Sequence, residues 1–389
     1  MTENLLLALR REAREAPDSG IVEVMNYGRD RPGLIPLWVG EGDLPTPDFI
    51  CAATMRSLQA GETFYTWQRG IPGLRAALAR YHTRHFGRSF GPERFFVTGG
   101  GMQAIQIAIA ALAGSGDEVI VPSPAWPNFA AAAAIAGARP VFVELDFDGI
   151  RWSLDLDRLA AAIGPATRAI FINSPANPTG WTAKEEELRA ILALARERGI
   201  WIIADEVYNR FVFEGERAAS FYDVAEPDDR ILYVNTFSKN WAMTGWRIGW
   251  ISAPEVLGGV IENLIQYSTS GVTGFMQRGA VAALEDGEAF VRDQVERARR
   301  GRDIVCGGLA GSNRARFAWP DGAFYLFFTV AGVDDTSRIG LDLVDQAGIG
   351  LAPGTAFGPG GAPYVRLCFA RKAEDLTEAT RRLTGWLGS

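Results

Sequence analysis

The sequence predicts an α/β protein whose sheet is rich in parallel strands, on three observations. Short apolar runs alternate with helical segments along most of the chain: Phe95–Thr98, Val119–Val121, Arg139–Leu145, Arg168–Asn173, Ile200–Ala204 and Ile231–Val234. This is the order that builds β-α-β units. Several of the runs are apolar at nearly every position, as strands buried on both faces are. Glycines and polar side chains collect just beyond their C-terminal ends, where open α/β sheets bind ligands.

A chain of 389 residues suits two domains better than a single core. Hydrophobic content of 48% and charged content of 22% are ordinary for a soluble globular protein. A net charge of −7 argues against nucleic acid, which needs a basic face; the arginine groups around Arg10 and Arg297 have acids beside them and read as solvated helix faces. The three cysteines, Cys51, Cys306 and Cys368, are far apart and odd in number, so a disulfide framework is not expected and a reducing compartment is. His82 and His85, the only histidines, have no cysteine nearby, and no metal site is expected. Neither a secretory leader nor a membrane-spanning run is apparent. The expectation is a soluble, cytoplasmic protein.

Glu3 to Glu15 reads as a charged amphipathic helix with leucines on one side. An irregular stretch follows, through Ile21–Val24 to Leu37-Trp38-Val39, and ends in Gly40-Glu41-Gly42-Asp43-Leu44-Pro45-Thr46-Pro47. That loop is either a linker or a ligand loop in which Gly40 lets the backbone come close. Asp48 to Ala60 is a helix, and Gly70 to Arg75 leads into another. Phe95–Thr98 runs into Gly99-Gly100-Gly101 and a helix starting at Met102. Free N–H groups and the positive dipole end meet at such a start and make an anion site. These residues also fit the loose dinucleotide pattern G-x-G-x-x-A. A nicotinamide site needs an acid after the next strand, whereas Asp117 and Glu118 precede it, so the pattern is set aside.

Val119–Val121 delivers Trp126 to a strand tip, where an indole either lids the core or meets a ligand. An Ala-rich helix, the strand Arg139–Leu145 and a helix over Leu156–Ile163 follow. Arg168–Asn173 ends in Ser174–Gly180; its N-P-T-G is a turn signal first, and the strand tip makes Asn177 a ligand candidate. The helix Lys184–Arg198 stops at Gly199, and Ile200–Ala204 closes on Asp205-Glu206-Val207-Tyr208. A carboxylate at the end of an apolar strand must meet a cation, and a protonated ring nitrogen is one.

After Ile231–Val234 the chain breaks into small polar residues that offer one amine, Lys239, between Thr236, Ser238 and, further on, Arg247 in a second strand-like run. The amine can condense with a carbonyl while hydroxyls and guanidinium hold a phosphate, and pyridoxal phosphate carries both groups. Val256–Tyr267 reads as a helix, and a long helix from Met276 through Arg300 is expected to link two domains. Strands follow around Phe324–Phe328 and Tyr364–Phe369. In the second, Arg366 needs an anion.

The run S-K-x-x-x-M-x-G-x-R-x-G, residues 238–249, resembles the lysine motif of the class I/II, fold-type I aminotransferases. The order of Tyr65-x-x-x-x-Gly70-x-x-x-Leu74-Arg75, the glycine turn, Trp126, Asn177-Pro178-x-Gly180, Asp205-Glu206-x-Tyr208 and Val365-Arg366-Leu367 is similar to that family too. Gly42 stands where the family has proline. The resemblance implies a mostly parallel seven-stranded sheet in a large domain (46–289) and a smaller α+β domain from both termini (1–45 and 290–389). It also implies a homodimer with shared active sites. Lys239 would hold pyridoxal 5′-phosphate as a Schiff base, with Asp205 on the ring nitrogen and Tyr208 and Asn177 on the ring oxygen. Trp126 would stack on the ring. Thr236, Ser238, Arg247 and the N–H groups of Gly101 and Met102 would hold the phosphate, with Tyr65 reaching the neighbouring subunit's. Arg366, near Gly40, would grip the substrate α-carboxylate.

The activity implied is transfer of an amino group from an α-amino acid to a 2-oxo acid such as 2-oxoglutarate or pyruvate. Gln266 stands where one dicarboxylate-specific subgroup has a second arginine. With Trp38 and Trp241 expected near the site, this favours neutral or aromatic donors, while an acidic donor stays open because other subgroups find their second cation elsewhere. A C–S β-lyase of the same fold would keep every cofactor residue. A non-enzymatic cofactor sensor would need a DNA-binding segment, and none is apparent.

Overall fold

The computed structural model describes residues 2–388. Seven strands form its main sheet: β1 (Phe95–Thr98), β2 (Glu118–Ser123), β3 (Arg139–Glu144), β4 (Thr167–Asn173), β5 (Trp201–Asp205), β6 (Ile231–Thr236) and β7 (Gly249–Ser252). Their order is β1-β7-β6-β5-β4-β2-β3. Only β7 runs antiparallel to its neighbours, so the sheet is mostly parallel, as expected.

Consecutive residues of the central strands feed two different cores, which is why the strands read as unbroken apolar runs. Ile170, Ile172, Ile202, Ala204 and Tyr233 pack on one face of the sheet. Ala169, Phe171, Ile203, Leu232 and Val234 pack on the other. The helix Gly101–Leu112 covers the second face through Ala104, Ile105 and Ala108; Glu185–Arg198 covers the first through Leu188, Ile191 and Leu192. Each large side chain removed from water here contributes about 2 kcal/mol.

A separate antiparallel sheet comprises β8 (Ala315–Phe317), β9 (Tyr325–Val330), β10 (Ala352–Pro353) and β11 (Tyr364–Cys368), in the order β8-β9-β11-β10. Its core is its own: Leu326, Phe328, Val365 and Leu367 meet Val305 and Leu309 of the helix Glu288–Leu309 and Leu376 and Leu383 of Ala373–Gly388. Residues Ile35–Pro36 pair with Ile349–Gly350, which carries the N-terminal segment to this side of the molecule.

Four elements differ from expectation. Residues 3–15 are not one helix but Thr2–Leu7 and Arg11–Arg14, because Arg10 leaves the helix to donate to the carbonyl of Ile135 and to Glu12. Leu5, Leu6, Leu7 and Leu9 are exposed. The stretch around Ile21–Val24 is a helix, Gly20–Gly28, whose N-cap Ser19 accepts from the N–H of Val22. Arg247 lies not inside a strand but just ahead of β7, with φ 51°. The long helix after residue 274 is two, Gly274–Asp286 and Glu288–Leu309, hinged at Gly287. A Cβ on Gly287 would strike the carbonyl of Ala283 and the indole of Trp241.

Substituting Gly287→Ala should therefore lower the unfolding free energy by about 1–3 kcal/mol through overpacking. Urea denaturation of both proteins measures this, and an unchanged midpoint would show that the bend does not depend on the missing side chain.

Candidate active site

β4 and β5 end level, with Asn173 beside Asp205, while Asp205 lies beside Val234 and β6 continues to Thr236. Asp205, the last residue of β5, is buried, and among the described residues its carboxyl group accepts one hydrogen bond, from the N–H of Val207 at 3.3 Å. No basic side chain pairs with it among the described residues. Burial pushes its pKa up to about 7, against the opposing pull of that N–H and of Lys239. Glu206 turns away, accepting from the hydroxyl of Ser220 and the N–H of Phe221.

Beyond β6 the chain tightens into the turn that carries the amine. Lys239 Nζ donates to the carbonyl of Gly40 at 2.6 Å and lies 5.7 Å from the centre of the Tyr208 ring. Burial brings its pKa down to about 8 because the charged form loses its hydration. Thr236 Oγ1 donates to Ser238 Oγ at 2.9 Å, beside the start of the helix at Gly101. Gly100 holds φ 85°, and a Cβ there would meet the guanidinium of Arg247. Gly249 has no room for a Cβ either, because the carbonyl of Asn235 and, behind it, the backbone of Gly100 and Gly101 press against it. Two glycines thus let a helix N-terminus, two hydroxyls and a guanidinium converge, an anion cradle by construction.

The four-stranded sheet supplies the opposite wall. Arg366 of β11 is buried; its Nη1 donates to Asn177 Oδ1 at 2.9 Å and its Nη2 to the carbonyl of Trp38. Its Nε has no partner, and no acidic side chain pairs with it among the described residues. The guanidinium is stacked between the rings of Tyr325, at 4.7 Å, and Phe357, at 4.9 Å. A buried guanidinium held this way has capacity for an incoming carboxylate. Tyr208 and Tyr325 share a hydroxyl–hydroxyl hydrogen bond of 2.7 Å.

One cavity of about 400 Å³ gathers Gly40, Gly101, Met102, Trp126, Asn177, Asp205, Tyr208, Thr236, Ser238, Lys239, Arg247 and Arg366. Tyr65 is not among them: it is 94% exposed on the surface of the single chain. Trp38 and Trp241, expected near the site, are core residues. Trp38 packs against Gly28 and Gly350, and Trp241 against Phe237 and Tyr81, so neither indole lines the cavity. The sequence reading missed Asn173, Tyr325 and the apolar wall of Ile21, Val22, Met25 and Val39. Ser19 ahead of alternating apolar residues is the N-cap signal that could have revealed the helix bearing three of them. Tyr325 carries no such signal, since it reads as one more aromatic in an aromatic strand.

These features define an enzyme of the kind that handles a carbonyl-bearing, phosphate-bearing cofactor. The profile described as aminotransferase class I and II matches residues 32–383. The chain is 36% identical to an aspartate aminotransferase of Thermotoga maritima over 92% of each chain. It is 36% identical to an arginine–pyruvate transaminase of Pseudomonas aeruginosa, over 90% of this chain and 89% of the other. A crystal structure of aspartate aminotransferase from T. maritima superposes with a TM-score of 0.91 at 34% identity, covering 98% of this chain and all of that one. The chain belongs to the class I and II aminotransferases, and its cofactor is pyridoxal phosphate. The residues fit that group. The unpaired buried carboxyl suits a protonated ring nitrogen, the anion cradle a phosphate, and the buried amine an aldehyde.

Because only the free amine attacks an aldehyde, uptake of pyridoxal phosphate by cofactor-free protein should speed up as pH rises through about 8. Stopped-flow absorbance measures this; an inflection near that of an exposed lysine would contradict the desolvated environment.

Proposed function

We propose that this aminotransferase moves the amino group of a neutral, apolar α-amino acid to 2-oxoglutarate or pyruvate through a Schiff base on Lys239. The observation that carries the reading is the convergence of Lys239, Asp205 and Arg366 on one cavity. Bound pyridoxal phosphate supplies the sink for the electron pair released when the substrate's Cα loses its proton. Arg366 grips the substrate α-carboxylate with its free hydrogen-bonding capacity and so fixes which bond at Cα faces Lys239. Lys239 Nζ, with its pKa brought down towards neutrality, would take that proton from Cα and pass it to the cofactor's imine carbon, so that the nitrogen leaves with the cofactor. Asp205 would keep a proton on the ring nitrogen. Tyr208 and Asn177 would donate to the ring oxygen, and Trp126 would stack on the ring. Thr236, Ser238, Arg247 and the N–H groups of Gly101 and Met102 would neutralise the phosphate.

The donor's side chain would meet Ile21, Val22, Met25, Val39 and Ile105. Lys239, Arg247 and Arg366 are the only cationic side chains lining the cavity among the described residues. All three are already assigned, which disfavours a second carboxylate on the donor and, since the acceptor enters the same cavity, favours pyruvate over 2-oxoglutarate. The support expected from Trp38 and Trp241 is withdrawn by their burial in the core.

The reading includes a cytoplasmic homodimer, with residues 1–45 and 290–389 as the smaller domain and 46–289 as the larger. Exposed Phe64, Tyr65, Trp67 and Tyr267 favour a partner surface, across which Tyr65 would reach the neighbour's phosphate. The three free cysteines agree with a reducing compartment. No described helix is long and apolar enough to cross a membrane.

Lys239→Ala should abolish turnover and the visible absorbance of the imine between the lysine and the cofactor. In a donor screen, leucine or methionine should exceed aspartate in kcat/KM by about tenfold or more. Aspartate as the best donor, or pyruvate and ammonia released without an oxo-acid acceptor, would overturn the assignment.

A further inference from the structure

Tyr325 lies at a junction that the cofactor residues alone do not explain. It opens β9 and is fully buried, and in β-register it faces Cys368, one pleat from Arg366. Its hydroxyl meets that of Tyr208 at 2.7 Å, its ring lies under the Arg366 guanidinium at 4.7 Å, and a Cβ on Gly40 would strike its oxygen. Gly40 in turn accepts from Lys239. A phenylalanine at 325 would fill the same volume, so packing does not account for the hydroxyl.

A phenol has one proton to give. In the apposed pair either oxygen can be the donor. Once the Tyr208 O–H donates to the ring oxygen, the Tyr208 oxygen can only accept towards Tyr325, and the Tyr325 hydroxyl is the donor in reach. Resting on the function proposed above, we propose that Tyr325 is a positioning residue: it donates to Tyr208, fixes that phenol's rotation and strengthens its donation to the cofactor's ring oxygen. Burial raises both phenols above their ordinary pKa, so both keep their protons for this relay. Hydrogen bonds in such a chain polarise one another, and the second strengthens the first. The relay also ties the four-stranded sheet, which carries the carboxylate-gripping Arg366, to the large sheet's hold on the cofactor.

The test is a spectrophotometric pH titration of the lysine-linked cofactor in four holoenzymes: wild type, Tyr325→Phe, Tyr208→Phe and the double variant. A donor to the ring oxygen draws charge from it and eases loss of the neighbouring imine proton. Losing Tyr325's hydroxyl should therefore move the midpoint up by about half a pH unit, the size of one neutral hydrogen bond. Tyr208→Phe should move it further, and the double variant should titrate as Tyr208→Phe alone. A Tyr325→Phe midpoint equal to wild type overturns the proposal while leaving the Lys239 reading intact. The same shift from Tyr325→Phe in both backgrounds also overturns it, since the effect would not pass through Tyr208. A wild type with no visible band overturns the Lys239 reading and the relay together.

Discussion

Taking an ammonium group out of water penalises its charged form, and the chemistry available at this site depends on that penalty being imposed at Lys239. The amine is enclosed by Gly40, Tyr208 and Phe324 and brought down to about pH 8. The same desolvation acts with opposite sign on Asp205, which rises to about pH 7. An amine and a carboxyl that start far apart on the pH scale are thereby brought within reach of neutrality, where proton transfer in either direction is cheapest. Neither group is paired off by a neighbouring ion, so each has capacity to interact with a ligand that carries both an aldehyde and a basic ring nitrogen.

Holding these groups in one cavity takes both sheets. The parallel strands present Asn173, Asp205 and the lysine turn at one edge, while the antiparallel sheet brings Arg366 and Tyr325 from the other side. Close approach around the cavity is possible because side chains are missing at two crowded positions. Gly40 makes room for the Tyr325 hydroxyl, and Gly249 for the turn at Gly100. A methyl group at either place would push apart elements that must touch the same small ligand. Two buried cores, one on each side of the main sheet, resist such displacement.

Much of this was legible in the sequence because strand-tip residues follow unbroken apolar runs. Asp205 after Ile200–Ala204 and Lys239 after Ile231–Val234 are examples, and the strand fixes where the tip falls. The N-terminal helix Gly20–Gly28 was not legible, because a serine and a glycine at its start resemble a turn and its four-residue apolar stripe is short. The break at Gly287 escaped notice because a glycine within a helical pattern is usually tolerated; only the packing of Trp241 shows why it bends here. Arg247 read as a strand residue, but the single helical turn Thr244–Trp246 runs directly into it and β7 begins only at Gly249. Tyr325 was hidden by its company. Among Phe324, Leu326, Phe327 and Phe328, one hydroxyl has no periodic signature, and its partner Tyr208 is far away in the chain.

The most direct test of covalent attachment at the desolvated amine is borohydride reduction of the holoenzyme, followed by proteolysis and mass spectrometry. The account predicts one modified peptide, carrying the mass of reduced pyridoxal phosphate on Lys239. The adduct on Lys184 or Lys372, or on no lysine at all, would contradict it.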